Sequence, residues 1–273
     1  MIEIKFENIN TQFLKENMNS EIKIVKNNLD FYIKLNIKEG MNNLIAFSNG
    51  AINPDKKNPP VYMRHKWGDE FNASCIFIDD RTTHDFDLKI GWGIGTPDRH
   101  YIIDYIEIIK CISEHLNIKD ENIIYYGSSA GGFMSIAMAT LHKGSTSIVN
   151  NPQTYIKNYS KFYVNQIYER IFPELNKVEI LKKYSERFSL LNLMSKNKYV
   201  PKIIYLQNRK CKSDVINHVI PFLRNADKYK INLSNLNLIY YNDVKAGHNP
   251  LKREQTVKYV NNFIKNKDAL LLK

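Results

Sequence analysis

The chain has 273 residues, 43% of them hydrophobic and 25% charged, with 39 Lys and Arg against 28 Asp and Glu for a formal net charge of +11. That length and apolar fraction argue against disorder for the bulk of the chain and fit one large domain or two small ones; α/β folds often run this long as one unit, and a single domain over 1–273 is expected. Three cysteines (Cys75, Cys111, Cys211) without C-x-x-C spacing argue against a disulfide framework and a metal site. No run reaches the ~20 apolar residues that span a bilayer, and Met1 to Lys5 lacks the layout of a signal peptide, so a cytoplasmic protein is expected, at most peripheral to a membrane. The positive excess permits attraction to polyanions without choosing among them.

Up to about residue 40, short alternating segments (Ile2-Ile4-Phe6, Ile22-Ile24, Phe31-Ile33-Leu35-Ile37) predict antiparallel strands. Leu44 to Phe47 reads as a buried strand ending in a tight turn at Ser48-Asn49-Gly50, and Asn53 to Pro60 as a polar loop. Cys75 to Ile78 is a second apolar run. Thr96-Pro97-Asp98 predicts a helix start, with apolar residues following at Ile102, Ile106, Ile109 and Ile112. Further strands are expected at Ile123–Tyr126, Ser147–Asn150, Ile203–Leu206 and Leu238–Tyr241, and a small-residue helix from Phe133 to about Leu141. Short strands alternating with helices predict a mostly parallel sheet with helices on both faces. Residues 152–200 interrupt that rhythm. This stretch looks helical, holds nine Lys/Arg against four Glu, and is expected to be a helical cap inserted over one end of the sheet.

The chemistry is concentrated in Gly127-x-Ser129-x-Gly131, with an apolar strand before it and a helix after it. That context makes a nucleophile elbow. A serine in a strained turn needs small neighbours two residues either side, and the following helix aims its positive end at developing negative charge. The bland alternative is a glycine-rich turn whose serine caps a helix.

A serine needs a base. In folds built on such an elbow the acid follows the nucleophile and the histidine comes last. His248 lies in the turn-rich loop Asp243 to Pro250, directly after the last strong strand, and is the expected base. Asp214, after the strand Ile203–Leu206, is the preferred acid. Asp243 competes, but five residues before His248 it fits better as a strand terminator or turn cap. His218, four residues beyond Asp214, is a substrate contact or packs on its helix. An oxyanion needs donors: the Ala130 N–H is one expected donor, and Asn49 or Gly50 in the turn after Leu44–Phe47 is the candidate for the other, the alternative being an ordinary turn. Gly91-Trp92-Gly93-Ile94-Gly95 lacks dinucleotide-fingerprint spacing and is expected to be a flexible loop presenting Trp92 near the site mouth, unless Trp92 is core. Arg64-His65-Lys66-Trp67 is a basic–aromatic cluster in which Arg64 is a candidate contact for an anionic substrate, or a solvated loop.

Taken together, Ser48-Asn49-Gly50-Ala51, Arg64 with Trp67, Gly91-Trp92-x-x-Gly95, Gly127 to Gly132, Asn151-Pro-Gln-Thr154 and Asn208 with Asp214 and His218 resemble α/β-hydrolase-fold proteins of bacterial surface-polysaccharide clusters, some of them capsular polysaccharide O-acetyltransferases. The resemblance covers about residues 44 to 250. It implies Ser129 as nucleophile, His248 as base, Asp214 as orienting acid, acetyl-CoA as acyl donor, no resident cofactor, and an anionic polysaccharide acceptor.

Three functional classes follow. One is an acyltransferase working through an acyl-serine. The second is a carboxylesterase, deacetylase or peptidase with water as acceptor. The third is a polyanion-binding protein that keeps the fold without the chemistry. Nucleic-acid binding is disfavoured, because the positive charge is spread and no reader motif is present.

Overall fold

The computed structural model describes residues 1–52 and 58–266, so the polar loop expected over 53–60 lies mostly outside the described residues. The described strands are β1 (Ile2–Lys5), β2 (Glu21–Lys26), β3 (Leu29–Asn36), β4 (Leu44–Phe47), β5 (Ser74–Ile78), β6 (Ile123–Ser129), β7 (Thr146–Pro152), β8 (Lys202–Asn208) and β9 (Leu236–Tyr241). They form one sheet in the order β1-β2-β3-β5-β4-β6-β7-β8-β9. β3 runs antiparallel to β2 and β5; every other pairing is parallel.

β2 and β3 alternate, burying Ile22, Ile24, Phe31, Ile33 and Leu35, and turn at Asn27-Asn28, both at positive φ, as a tight two-residue hairpin requires. Alternation predicts an antiparallel β1, whereas β1 runs parallel to β2. The helix Thr11–Glu16, capped by the Asn10 side chain on the Phe13 N–H, carries the chain back so that β2 starts in the same direction.

The central strands are buried on both faces, which is why they read as continuous apolar runs. One face (Ala46, Ile76, Tyr125, Val149, Tyr205) packs against helices Tyr101–His115 and Ala130–Leu141. The other (Phe47, Phe77, Ile124, Tyr126, Ile204) packs against Val257, Val260 and Phe263 of the helix Arg253–Lys265, an element the sequence reading does not anticipate.

The first long helix begins at Tyr101, not at Thr96. Thr96 and Arg99 instead close a tight turn by two backbone hydrogen bonds, 2.9 and 3.2 Å. Pro97 suits the second position of such a turn as well as it suits a helix start. Arg99 then grips Asp104 at 2.8 and 2.9 Å, while Lys26 reaches the same buried carboxylate at 2.7 Å, fastening helix to hairpin.

Between β7 and β8 the chain forms helices Lys161–Ile171, Lys177–Lys183, Ser185–Phe188 and Leu190–Asn197. Their apolar residues, among them Ile167, Ile171, Leu190 and Leu191, join the core that surrounds helix Ala130–Leu141. Arg170 donates to the carbonyls of Phe86 and Asp87, and Arg187 to those of Ile94, Thr96 and Pro97, so two cations of this segment serve packing. No helix among the described residues is long and apolar enough to cross a membrane.

Candidate active site

Ser129 ends β6 with φ 55° and ψ −124°, a conformation that costs a non-glycine residue of order 1–3 kcal/mol and persists only where its surroundings enforce it. The enforcement is visible at the glycines. A Cβ on Gly127 would lie 2.2 Å from the Gly131 carbonyl oxygen; on Gly131, 2.6 Å from that of Ser48; on Gly132, 2.6 Å from Pro152 Cβ. Strand, turn and helix therefore approach more closely than side chains allow. Helix Ala130–Leu141 starts at the next residue and is almost wholly buried, leaving Ser129 partly exposed above its N-terminus.

Asp214 and His248 meet. His248 Nδ1 hydrogen-bonds Asp214 Oδ2 at 2.7 Å, leaving Nε2 for another partner. The carboxylate is buried, while the imidazole side chain is 40% exposed. Asp243 is turned away: its Oδ1 accepts the N–H groups of Lys245 and Ala246, both at 3.0 Å, as a turn cap. Cys211 Sγ lies with the Asp214 and His248 ligand atoms inside a 4.8 Å cluster that sequence spacing does not reveal. Burial pushes its thiol up, which keeps it protonated, and Nδ1 and the carboxylate already bind each other.

Three buried asparagines hold the histidine loop to the strand ends. Asn208 Nδ2 donates to the carbonyls of Asp243 (2.7 Å) and Gly247 (2.8 Å), and its Oδ1 accepts the Asp243 N–H. Asn151 Nδ2 donates to the carbonyls of His248 and Asn249 at 3.0 and 3.1 Å. Asn150 Oδ1 accepts the Leu251 N–H at 2.7 Å. The sequence reading passes over this role; its only signal is a run of polar side chains where apolar strands end.

The turn after β4 lies close to Ser129, since a Cβ on Gly50 would sit 3.9 Å from Ser129 Cβ. The Gly50 N–H points at Met63 Sδ, 3.3 Å away. The Asn49 side chain is committed elsewhere: Nδ2 donates to the Val61 carbonyl and Oδ1 accepts the Met63 N–H. Ala130, at the helix start, is buried.

Of the remaining candidates, Trp92 and His218 take the packed alternative, and Arg64 is turned inward. Trp92 is fully buried, so it presents no stacking face at the mouth. Its loop is fixed: Gly93 N–H donates to Asp80 Oδ2 and Gly95 N–H to Thr82 Oγ1, both at 3.1 Å. Burial lifts the Asp80 carboxyl to about 6. Trp92 Nε1–H donates to Gln153 Oε1, and Gln153 Nε2 donates to Ser129 Oγ at 3.2 Å. His218 is buried, with Nδ1 accepting the Thr154 N–H, and burial lowers it to about 4, so it is neutral and packed instead of presented to substrate. Arg64 donates through Nη2 to Ser128 Oγ at 2.7 Å and lies between the rings of Trp67 and Tyr126. Its Nε and Nη1 are buried without a hydrogen-bond partner among the described residues, so the guanidinium does not reach outward.

No protein-family model matches the sequence, and neither does any curated protein. Solved structures do match. The capsule O-acetyltransferase of Neisseria meningitidis serogroup A is similar at a TM-score of 0.62 and 16% identity, over 88% of this chain and 96% of that one. An alanine variant of that enzyme in complex with CoA matches at 0.62 and 16%, over 87% and 95%. An esterase/lipase from an uncultured bacterium matches at 0.55 and 13%, over 96% and 92%. The strand order, the elbow after β6 and these likenesses agree, and the chain has the α/β-hydrolase fold.

Proposed function

We propose that this chain is a serine acyltransferase that moves an acetyl group from acetyl-CoA to a hydroxyl of a bacterial capsular or surface polysaccharide. The observation that carries the reading is the strained Ser129 on β6 together with an Asp214–His248 pair on the loops after β8 and β9. That is the chain order of nucleophile, acid and base in this fold. The choice of donor and acceptor draws support from the likeness to the capsule O-acetyltransferase, whose structure with CoA shares this fold.

Chemically, His248 Nε2 takes the Ser129 proton as Oγ attacks the thioester carbonyl. Asp214 keeps the proton on Nδ1 and stabilises the imidazolium. The oxyanion is held by the Ala130 N–H and the Gly50 N–H, which exchanges a weak thioether acceptor for a strong anionic one. The C–S bond breaks, and CoA leaves as the thiol with the proton from His248. A sugar hydroxyl then gives its proton to His248 and attacks the acyl-serine, and Ser129 leaves with that proton. The other arrangement of the same machinery uses water at this last step. The exposure of the His248 side chain keeps that acceptor in play.

The test is acetyl-CoA consumption by wild type and Ser129→Ala, with and without a panel of capsular polysaccharides. Acceptor-dependent CoA release that vanishes in the variant is expected. Turnover independent of any polysaccharide, alongside hydrolysis of p-nitrophenyl acetate, moves the assignment to an esterase. No turnover and no reaction with serine-directed reagents leaves the binding-protein reading.

A further inference from the structure

The residue that touches the nucleophile from the protein side is Gln153, and three facts fix how it does so. It follows Pro152, which pairs with Ser129 across the β6–β7 register shift, and its own N–H donates to the Ser129 carbonyl at 3.1 Å. It is fully buried. Its carboxamide has a partner at each end: Trp92 Nε1–H at Oε1 and Ser129 Oγ at Nε2.

A carboxamide can ordinarily be turned end for end, but an indole N–H only donates. Trp92 therefore compels Oε1 to face it, and the NH2 group must face Ser129. Trp92 itself sits at φ +52°, rare for so bulky a residue, within a loop where Gly93 and Gly95 are also at positive φ and Asp80 and Thr82 bind the backbone. Such strain is retained where the surroundings over-determine a conformation, and it clusters at functional sites. Trp92 and Ser129, both at positive φ, are joined through the Gln153 amide into one connected chain.

We infer that Gln153 is a catalytic donor to Ser129 Oγ and that Trp92 is a positioning residue that sets the polarity of its amide. The inference rests on Ser129 being the nucleophile. Accepting a hydrogen bond from Gln153 at one lone pair leaves the serine proton for His248. Oγ carries developing negative charge twice, when it attacks the donor and when it leaves the acyl-enzyme, and the amide donates to it both times. Were the amide reversed, Oε1 would accept the serine proton in competition with His248.

The experiment measures the rate of Ser129 phosphonylation by a fluorophosphonate, separating the first-order inactivation constant from reagent binding, with thermal unfolding recorded for each variant. Gln153→Leu is expected to lower the inactivation constant about 10²-fold, as removal of one preorganised donor does, with reagent binding unchanged. Gln153→Glu, which preserves shape and the Trp92 contact but has no NH2, is expected to fall at least as far and serves if the leucine variant fails to fold. Trp92→Phe is expected to lose about tenfold alone and nothing more in the Gln153→Leu background, because both act through one hydrogen bond. Folded Gln153 variants that react at the wild-type rate overturn the inference, and fully additive losses overturn the role of Trp92. A wild type that never reacts refutes the nucleophile reading itself and the inference with it, a different outcome from wild-type reactivity that Gln153 does not influence.

Discussion

Replacing Asp214 by Asn perturbs the site at the bond that organises it. The aspartate is 7% exposed and its Oδ2 lies 2.7 Å from His248 Nδ1. With the charge centres about 4 Å apart and an effective dielectric of about 20, the imidazolium–carboxylate attraction is about 4 kcal/mol, or close to 10³ in rate. An amide that turns its NH2 toward Nδ1 also forces the proton onto Nε2, the wrong tautomer for accepting from serine, and that raises the loss toward 10⁴-fold. The assay is hydrolysis of p-nitrophenyl acetate or fluorophosphonate reaction, read beside the same measurement on Asp243→Asn. Asp243 caps a turn through two backbone N–H groups that an Asn carbonyl oxygen can still bind, so its variant is expected to lose only a few tenths of a kcal/mol of stability and less than tenfold in rate. Near-wild-type rates for Asp214→Asn together with inactivity of a folded Asp243→Asn would refute the reasoning.

Gly131→Ala places a Cβ 2.6 Å from the Ser48 oxygen and 2.8 Å from that of Asn49, both backbone, and is expected to cost at least about 1–3 kcal/mol in urea unfolding. Asn208→Ala removes a side chain that satisfies two carbonyls and the Asp243 N–H in the histidine loop, and should lower stability by about 2–4 kcal/mol and reduce the fluorophosphonate rate of the remaining folded protein. His218 gives a pH test. Burial lowers it to about 4 against an unfolded value near 6.5, so the unfolded chain binds the extra proton and stability falls as pH drops from about 6.5 to 4, by up to ~3 kcal/mol. Asp80, raised to about 6, works in the opposite direction over part of that window. The measurement is therefore the difference in unfolding free energy between wild type and His218→Gln across pH 4–7, and a difference that stays flat contradicts the assignment.

The elbow is legible in the sequence because one of its constraints is local. Gly127 is demanded by the backbone of Gly131, four residues on, and the spacing records that demand, whereas Gly131 and Gly132 are demanded by the distant Ser48 and Pro152. Chain order points to Asp214 and His248, and those side chains meet because successive loops at one end of a parallel sheet must converge. The roles of Gln153 and Trp92 are not legible in the same way. Gln153 reaches Ser129 through the register of β6 against β7, and Trp92 reaches Gln153 from a loop 61 residues earlier. The glycines around Trp92 suggest flexibility, yet a Cβ on Gly91 would lie 2.5 Å from Thr82 Cβ, so glycine there permits close packing. The helix Arg253–Lys265 escapes notice because its buried stripe (Thr256, Val257, Val260, Phe263) is narrow and set among Lys and Asn. Parallel pairing of β1 with β2 depends on one short connecting helix that alternation alone does not encode.

The central claim is that Ser129 is the activated nucleophile. The direct measurement is peptide mapping by mass spectrometry of the native protein after reaction with a fluorophosphonate, with Ser129→Ala in parallel. The account predicts one adduct, on Ser129, absent from the variant and slowed at least 10³-fold by Asp214→Asn. An adduct on the adjacent Ser128, whose Oγ accepts from Arg64, or equal labelling of wild type and Ser129→Ala, would contradict it.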